Sequence, residues 1–304
     1  MVKIQEDINL KRYNTYGVGG NAKYFVLAKQ NQDLIDAFNF TKEKTISFLV
    51  LGKGSNVLVP DNGYKGLVIV NNVKEVRRDN DKVYASSGIT LARLINFTID
   101  EGLSGLESLA GIPGTLGGAI IGNAGSFGGE IANVIDNVEV ISNNGEVQEI
   151  NKDSLTFGYR DSQFKHGFSG VILGATLKLE KSTIEEVRNK KDVITEKRSK
   201  LNQPVGKSCG SFFKNVKAED ASDHLLKEVE VRGIDGNIPA GKLIDLAGCK
   251  GMKVGEAEVS NENANFLINT GSATAADIKE LAEQVKKKVF EKFGVELETE
   301  VRYL

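Results

Sequence analysis

Two glycine-rich stretches carry the chemistry this chain can do. In Leu51-Gly52-Lys53-Gly54-Ser55-Asn56-Val57 an apolar run ends in a loop without bulky side chains. Successive backbone N–H groups can turn there toward one anion, with the Ser55 and Asn56 side chains as further donors. A phosphate or diphosphate suits such a nest, and a plain turn between two strands accounts for the same residues equally well. The P-loop pattern Gly-x4-Gly-Lys-Ser/Thr is absent, and Val57 stands where the dinucleotide fingerprint needs its third glycine. The second stretch runs from Gly111 to Gly129 and holds eight glycines in 19 positions. Leu106 and Leu109 precede it and Ile120 and Ile121 interrupt it. Backbone this bare packs against a large flat ligand, or its glycines serve close packing of helix on strand.

The elements that must position these loops follow from hydrophobic period. Lys23 to Ala28 reads as a strand, Asp33 to Lys44 as a helix, and Ser47 to Leu51 as a strand running into the first loop. Val57 to Val59 and Gly66 to Val70 resume extended structure. A strand from Val83 and a helix over Thr90 to Glu101 then precede the second loop. Beyond it, Val138 to Ser142 and Glu146 to Ile150 form a hairpin around Asn144-Gly145, a pair suited to a type I′ turn. A charged helix over 183–200 leads to a last unit with the loop Ser208 to Asn215, a short helix near Ala240 to Ala247 and a long helix over Ala275 to Phe293. In the long helix Ile278, Leu281, Ala282, Val285, Val289 and Phe293 share one face, and Gly294 is placed to end it. The last ten residues alternate as a strand, Val295, Leu297, Val301 and Tyr303 on one side and Glu296, Glu298, Glu300 and Arg302 on the other.

Composition excludes several classes. The net charge of -2 over 304 residues gives no basic field for nucleic acid. Cys209 and Cys249, the two cysteines, lack metal or disulfide-framework spacing, which predicts no metal site and a reducing, cytoplasmic setting. The acidic start Met-Val-Lys-Ile-Gln-Glu-Asp is unlike a signal peptide, and no window is apolar enough to span a membrane.

Seven blocks in order then identify a resemblance over essentially the whole chain. They are Asn14-Thr15-Tyr16-Gly17-Val18-Gly19-Gly20, Gly52 to Asn56, Gly111 to Gly118, Asn123-Ala124-Gly125, Tyr159-Arg160-Asp161-Ser162, Gly210-Ser211-Phe212-Phe213-Lys214-Asn215 and Glu300-Val301-Arg302-Tyr303. Together they resemble the UDP-N-acetylenolpyruvoylglucosamine reductase family, in the subtype lacking an inserted tyrosine-bearing loop. The resemblance implies an α+β fold: an FAD-binding fold of the vanillyl-alcohol-oxidase (PCMH-type) superfamily in two subdomains, 1–75 and 76–195, with an α+β substrate-binding domain, 196–304, whose last strand 295–304 returns to the FAD cleft.

It also implies the reaction. An enolpyruvyl ether on UDP-N-acetylglucosamine is reduced to UDP-N-acetylmuramate for peptidoglycan, with NADPH as co-substrate and non-covalent FAD carrying electrons in a ping-pong sequence. Cofactor contacts would come from Gly52, Lys53, Gly54, Ser55, Asn56 and Val57, and from Gly111, Ile112, Pro113, Gly114, Thr115, Gly117, Gly118, Asn123, Ala124 and Gly125. Ser211 would donate the proton, and Arg160 and Glu300 would polarise the substrate carboxylate. Tyr159, Lys200, Asn215 and Asn263 would contact substrate. Taken by residue type alone, Ser211 is a turn residue, Glu300 a solvated one and Arg160 an ion-pair partner of Asp161. Asn263 replaces a more common His or Gln, and Cys209 stands where a small residue is usual.

Two other readings stay in view. A carbohydrate or alcohol oxidase of the same superfamily would often tether its flavin through His or Cys, and His166, His224, Cys209 and Cys249 all lie outside the glycine stretches. A non-catalytic nucleotide-sugar or flavin-binding module would tolerate loss of Ser211.

Overall fold

The computed structural model describes residues 2–201, 204–220, 225, 229 and 236–304; His224 lies outside them. The chain divides into two compact units. The first comprises Met1–Ile8, Ala22–Lys53 and Lys65–Leu201; the second comprises Asn9–Asn21, Gly54–Tyr64 and Asn202–Leu304.

The first unit is built on two sheets. One has four strands: β1 (Gln5–Asn9), β2 (Asn21–Ala28), β3 (Phe48–Leu51) and, after the short β4 (Val57–Leu58), β5 (Tyr64–Asn71), in the order β1-β2-β5-β3. Its members β3 and β5 run parallel, Phe48 opposite Leu67. That pairing needs a crossover, which explains why the first glycine loop leaves the end of β3 instead of making a hairpin. Helix α1 (Asn31–Lys44) buries Leu34, Ala37 and Phe38 and ends at Thr45 in left-handed geometry. The second sheet has five strands, ordered Val147–Asn151, Ile135–Ile141, Val171–Lys178, β7 (Lys82–Ser86), β6 (Val76–Asp79). The expected hairpin is there, with Ile141 opposite Val147, but its turn is not the type I′ that Asn144-Gly145 suited: Gly145, at φ 92°, is left-handed and Asn144 is not.

These two sheets share a core. Val26, Leu67 and Ile69 of the first, with Leu34 and Phe38 of α1, pack with Ile141, Val171 and Leu173 of the second. A further core under the five-stranded sheet takes Leu94 and Ile95 from helix α2 (Leu91–Asp100), Val187 from helix α4 (Ile184–Ser199), and Leu116 and Ile120 from helix α3 (Leu116–Gly122). Helix α3 corrects the sequence reading, which took Gly111–Gly129 as a bare loop throughout. Three glycines in seven residues disfavour a helix by propensity. Burial of Leu116, Ala119 and Ile120 and the Thr115 N-cap override that cost.

The second unit has one core, in which the helix Ala275–Phe293 buries Ile278, Leu281, Ala282, Val285 and Val289. A capping box of Thr274 and Asp277 opens this helix and Gly294, at φ 68°, closes it, as its spacing predicted. A three-stranded meander, Lys253–Val254, Ala257–Val259 and Leu267–Asn269, and the short helix Ala240–Leu246 complete the unit. The C-terminal strand is shorter than its alternation implies. Val295, Leu297 and Val301 are buried as expected, but only Arg302–Tyr303 pair regularly, in parallel with β4, and Tyr303 is 40% exposed. Thr299 makes an isolated bridge to Phe213, so the segment changes partners midway and cannot keep one ladder. Among the described residues no helix is long and apolar enough to cross a membrane.

Candidate active site

In the first unit the site is organised by α3. Its N–H groups at Leu116 and Gly117 donate to the carbonyls of Ile89 and Ser87, at 2.9 and 2.8 Å, and Thr115 Oγ1 accepts from Gly118 N. The start of the helix is therefore committed to the protein. What the helix offers instead is a face. Leu116, Gly117, Ala119 and Ile120 point into the core, while Gly118 is exposed and Gly122 half-exposed. These two glycines are four residues apart and so share one side of the helix. A methyl group added at Gly118 would meet nothing closer than Thr115 Oγ1 at 3.7 Å, and one at Gly122 would meet nothing within 4 Å.

The other glycines divide from these two. At Gly52, Gly111, Gly117 and Gly125 an added Cβ would lie within 3 Å of Thr115, Arg198, Ser87 and Glu130 respectively. Those four are required by packing, the simpler of the two explanations the sequence allowed. Gly118 and Gly122 have no such reason in the protein. The flat, side-chain-poor strip they leave suits an aromatic ring system, so the residues present fit FAD.

The packing of Gly52 onto Thr115 also joins the first glycine stretch to the second. Within this unit, Gly52 is half-exposed and Lys53 exposed at the end of β3, and neither N–H donates to a backbone carbonyl among the described residues. The loop continues into the second unit, where Gly54 adopts φ 60° and its carbonyl accepts from Thr15 N at 3.1 Å. A side chain at Gly54 would collide with the Tyr13 carbonyl at 2.3 Å.

Arg160 is placed relative to α3 by two hydrogen bonds. It sits at the tip of a hairpin, Phe157–Gly158 paired with Asp161–Ser162. Asn123, the left-handed cap of α3, donates from Nδ2 to the Gly158 carbonyl at 2.9 Å, and Ser162 Oγ donates to the Ile121 carbonyl at 2.8 Å. Both feet of the hairpin thus stand on the end of the glycine helix. Arg160 itself has φ 54°, a conformation that costs a non-glycine residue free energy and that marks functional sites when it persists. Its guanidinium lies 5.4 Å from the Tyr159 ring. Asp161, the ion-pair partner that residue type suggested for Arg160, binds His166 Nε2 at 2.8 Å, and this contact holds its carboxyl below the usual range. Lys200 is exposed and bridges Glu196 at 2.7 Å, one turn back.

In the second unit Ser211 is exposed and follows Gly210, which has φ 75°. The backbone just after it is fixed at several points. Phe212 N donates to the Asn265 carbonyl at 2.8 Å, Phe213 N to Asn265 Oδ1 at 2.9 Å, and Asn265 Nδ2 to the Phe213 carbonyl at 2.9 Å. Glu300 N donates to the Phe212 carbonyl at 2.8 Å, and Asn56 Nδ2 to the Glu300 carbonyl at 3.2 Å. The structure therefore brings Ser211 and Glu300 to either side of Phe212, and Asn56 beside them. Asn265 was not singled out in the sequence; an Asn that replaces a strand partner on both its edges has no motif of its own. Asn263 caps the same turn, accepting from Asn265 N at 3.1 Å, and Asn215 accepts from Ala240 N at 3.2 Å. Arg160 belongs to the first unit and Ser211 and Glu300 to the second.

Behind Ser211 lies Cys209, buried, with Sγ donating to the Val57 carbonyl at 3.1 Å. Burial pushes its thiol up to about 11. Tyr16 is fully buried beside it, and its hydroxyl has no well-aligned hydrogen-bond partner among the described residues.

The fold and the glycine face, with the matches that follow, mark the chain as a flavoprotein. A family profile described as FAD binding domain matches residues 22–151, and one described as UDP-N-acetylenolpyruvoylglucosamine reductase, C-terminal domain, matches residues 200–304. Proteins of that reductase name from Clostridium novyi and Prochlorococcus marinus are 39% and 34% identical, each aligned over 99% of this chain and over 92% and 98% of their own lengths. The crystal structure of the enzyme from Thermus caldophilus superimposes with a TM-score of 0.79 at 33% identity, covering 100% of this chain and 99% of that one. The chain belongs to the UDP-N-acetylenolpyruvoylglucosamine reductase family.

Proposed function

We propose that this chain reduces UDP-N-acetylglucosamine enolpyruvate to UDP-N-acetylmuramate with NADPH, through non-covalently bound FAD, in the cytoplasm. The observation that supports it best is the bare face of α3, with the strained Arg160 hairpin standing on its end. Bound FAD supplies the hydride for the terminal carbon of the enol ether.

The protein's task is to manage the charge and the proton that accompany this transfer. Negative charge grows on the substrate carboxylate, and Arg160 offers it a planar two-pronged cation. A donor aimed at such developing charge is worth about 2.7 to 4 kcal/mol. Arg160 can be that donor because its hairpin is anchored, so little reorganisation remains to be done during reaction. Glu300 assists at the same carboxylate. Ser211 delivers the proton to the adjacent carbon; a hydroxyl is a weak acid, so the fixed backbone of Phe212 and Phe213 matters to it more than to an ordinary turn residue. Tyr159, Lys200, Asn215 and Asn263 take the substrate contacts, and Gly52 to Val57 with Gly111 to Gly125 take the cofactor.

Gly118→Val tests the cofactor assignment. Open space surrounds a Cβ at this position, so the variant's melting temperature should stay near that of the parent while FAD affinity falls by about tenfold or more. Retention of FAD by a folded valine variant at parental affinity would reject the assignment.

A further inference from the structure

Arg198 lies in the last turn of α4, half-buried, against the same glycine segment. Its Nε donates to the Ala110 carbonyl at 2.8 Å and its Nη2 to Ser126 Oγ at 2.6 Å; that hydroxyl in turn donates to the Ser108 carbonyl at 2.5 Å. One side chain thus fastens the two ends of the segment that holds α3. The stem presses on the backbone at Gly111, where a Cβ would come within 2.6 Å of Arg198 Cδ. The guanidinium also lies 5.4 Å from the ring of Phe127, a residue held at φ 50°.

The charge of this group is not balanced by the protein. No carboxylate pairs with Arg198 among the described residues, and both its hydrogen-bond acceptors are neutral. Burial, and after it the like charge of Arg160, pull its pKa below the ordinary arginine value. A partly desolvated cation is unfavourable unless an anion joins it. A surface clamp would need neither the burial nor the second arginine.

We propose that Arg198 is a positioning residue for the cofactor, one that staples the ends of the glycine segment and holds an uncompensated positive charge toward the flavin ring of FAD. The inference rests on the assignment of Gly111–Gly125 to FAD, which Gly118→Val tests separately. The staple shapes the cradle. The charge favours the negative charge a flavin takes up on reduction, and so raises its midpoint potential.

Three variants separate these effects. Arg198→Met loses fork and charge, Arg198→Lys keeps charge and loses the fork, and Ser126→Ala loses one anchor and keeps the charge. The measurements are FAD titration of the apoprotein by fluorescence quenching, competition of that titration by ADP, and the midpoint potential of the bound flavin. All three variants should weaken FAD, the two arginine changes by roughly tenfold or more. The potential should drop in Arg198→Met alone, with ADP competition unchanged. Should Arg198→Met not fold, Arg198→Lys and Ser126→Ala still decide, since both must keep the parental potential while losing affinity. A parental potential in a folded Arg198→Met protein, or a lowered one in either of the other two, overturns the proposal. So does loss of ADP competition in parallel with FAD, which would move the charge to the diphosphate. If Gly118→Val weakens FAD and the arginine variants do not, the cofactor assignment survives and this inference falls.

Discussion

The glycine face of the first unit and the Ser211 loop of the second put opposite demands on sequence. Around α3 the useful property is missing atoms: Gly118 and Gly122 leave a strip that nothing in the protein fills. Around Ser211 it is atoms in fixed places, since Asn265 pairs with Phe212 and Phe213 at both the N–H and the carbonyl edge. One region is sensitive to addition and the other to deletion. The contrast extends to weak acids. Among the described residues the second unit holds four with raised pKa, Tyr16, Cys209, Cys249 and Tyr303, against Tyr84 in the first.

The largest effect should come from Ser211→Ala. Reoxidation of the reduced flavin by the enolpyruvyl sugar should slow by about a thousandfold, while FAD binding and reduction by NADPH stay intact in rapid-mixing experiments. Equal damage to both half-reactions would erase the contrast, because it would make Ser211 part of the cradle.

Next comes alkaline pH. Burial raises the Cys209 thiol to about 11, from 9.0, and the Tyr303 phenol to about 12, from 10.0. Folding thus favours their protonated forms. That contribution to stability is fully present below about pH 9 and is lost as pH rises through 11 to 12. Denaturant midpoints should fall over that window in step with tyrosinate absorbance, and Cys209→Ala should flatten the lower part of the fall.

The smallest effects distinguish two phenols, Tyr16 fully buried and Tyr84 half-buried. Tyr84 donates to Glu139 at 2.8 Å and accepts from Asn31 at 3.2 Å, whereas the Tyr16 hydroxyl has no well-aligned hydrogen-bond partner among the described residues. Tyr84→Phe should cost about 1 to 3 kcal/mol, because it strands its partners, and Tyr16→Phe should be neutral or stabilising by up to about 1 kcal/mol. Chemical denaturation of the two variants measures the difference; a larger loss at Tyr16 would mean its hydroxyl is used.

Elements with strong period and caps were legible in the sequence, the helix Ala275–Phe293 to the residue. So was the importance of the glycine stretches. What could not be read was how they divide. Gly117 and Gly118 are neighbours of the same type, yet one touches Ser87 and the other faces open space, a distinction set by which side of α3 is buried. The helix itself was hidden by its low propensity. Arg198 gave no signal, since its partners lie 72 and 88 residues away and one of them is a backbone carbonyl. The last strand misled because burial alternates along it without a continuous ladder.

Three glycines in seven residues make α3 an expensive helix, by about 3 kcal/mol relative to alanine. A ligand that binds only the folded chain returns about 2.7 kcal/mol when present at a hundredfold excess over its dissociation constant. The two sums are comparable, so a bound cofactor would add to the folded apoprotein about as much stability as those glycines take from the helix.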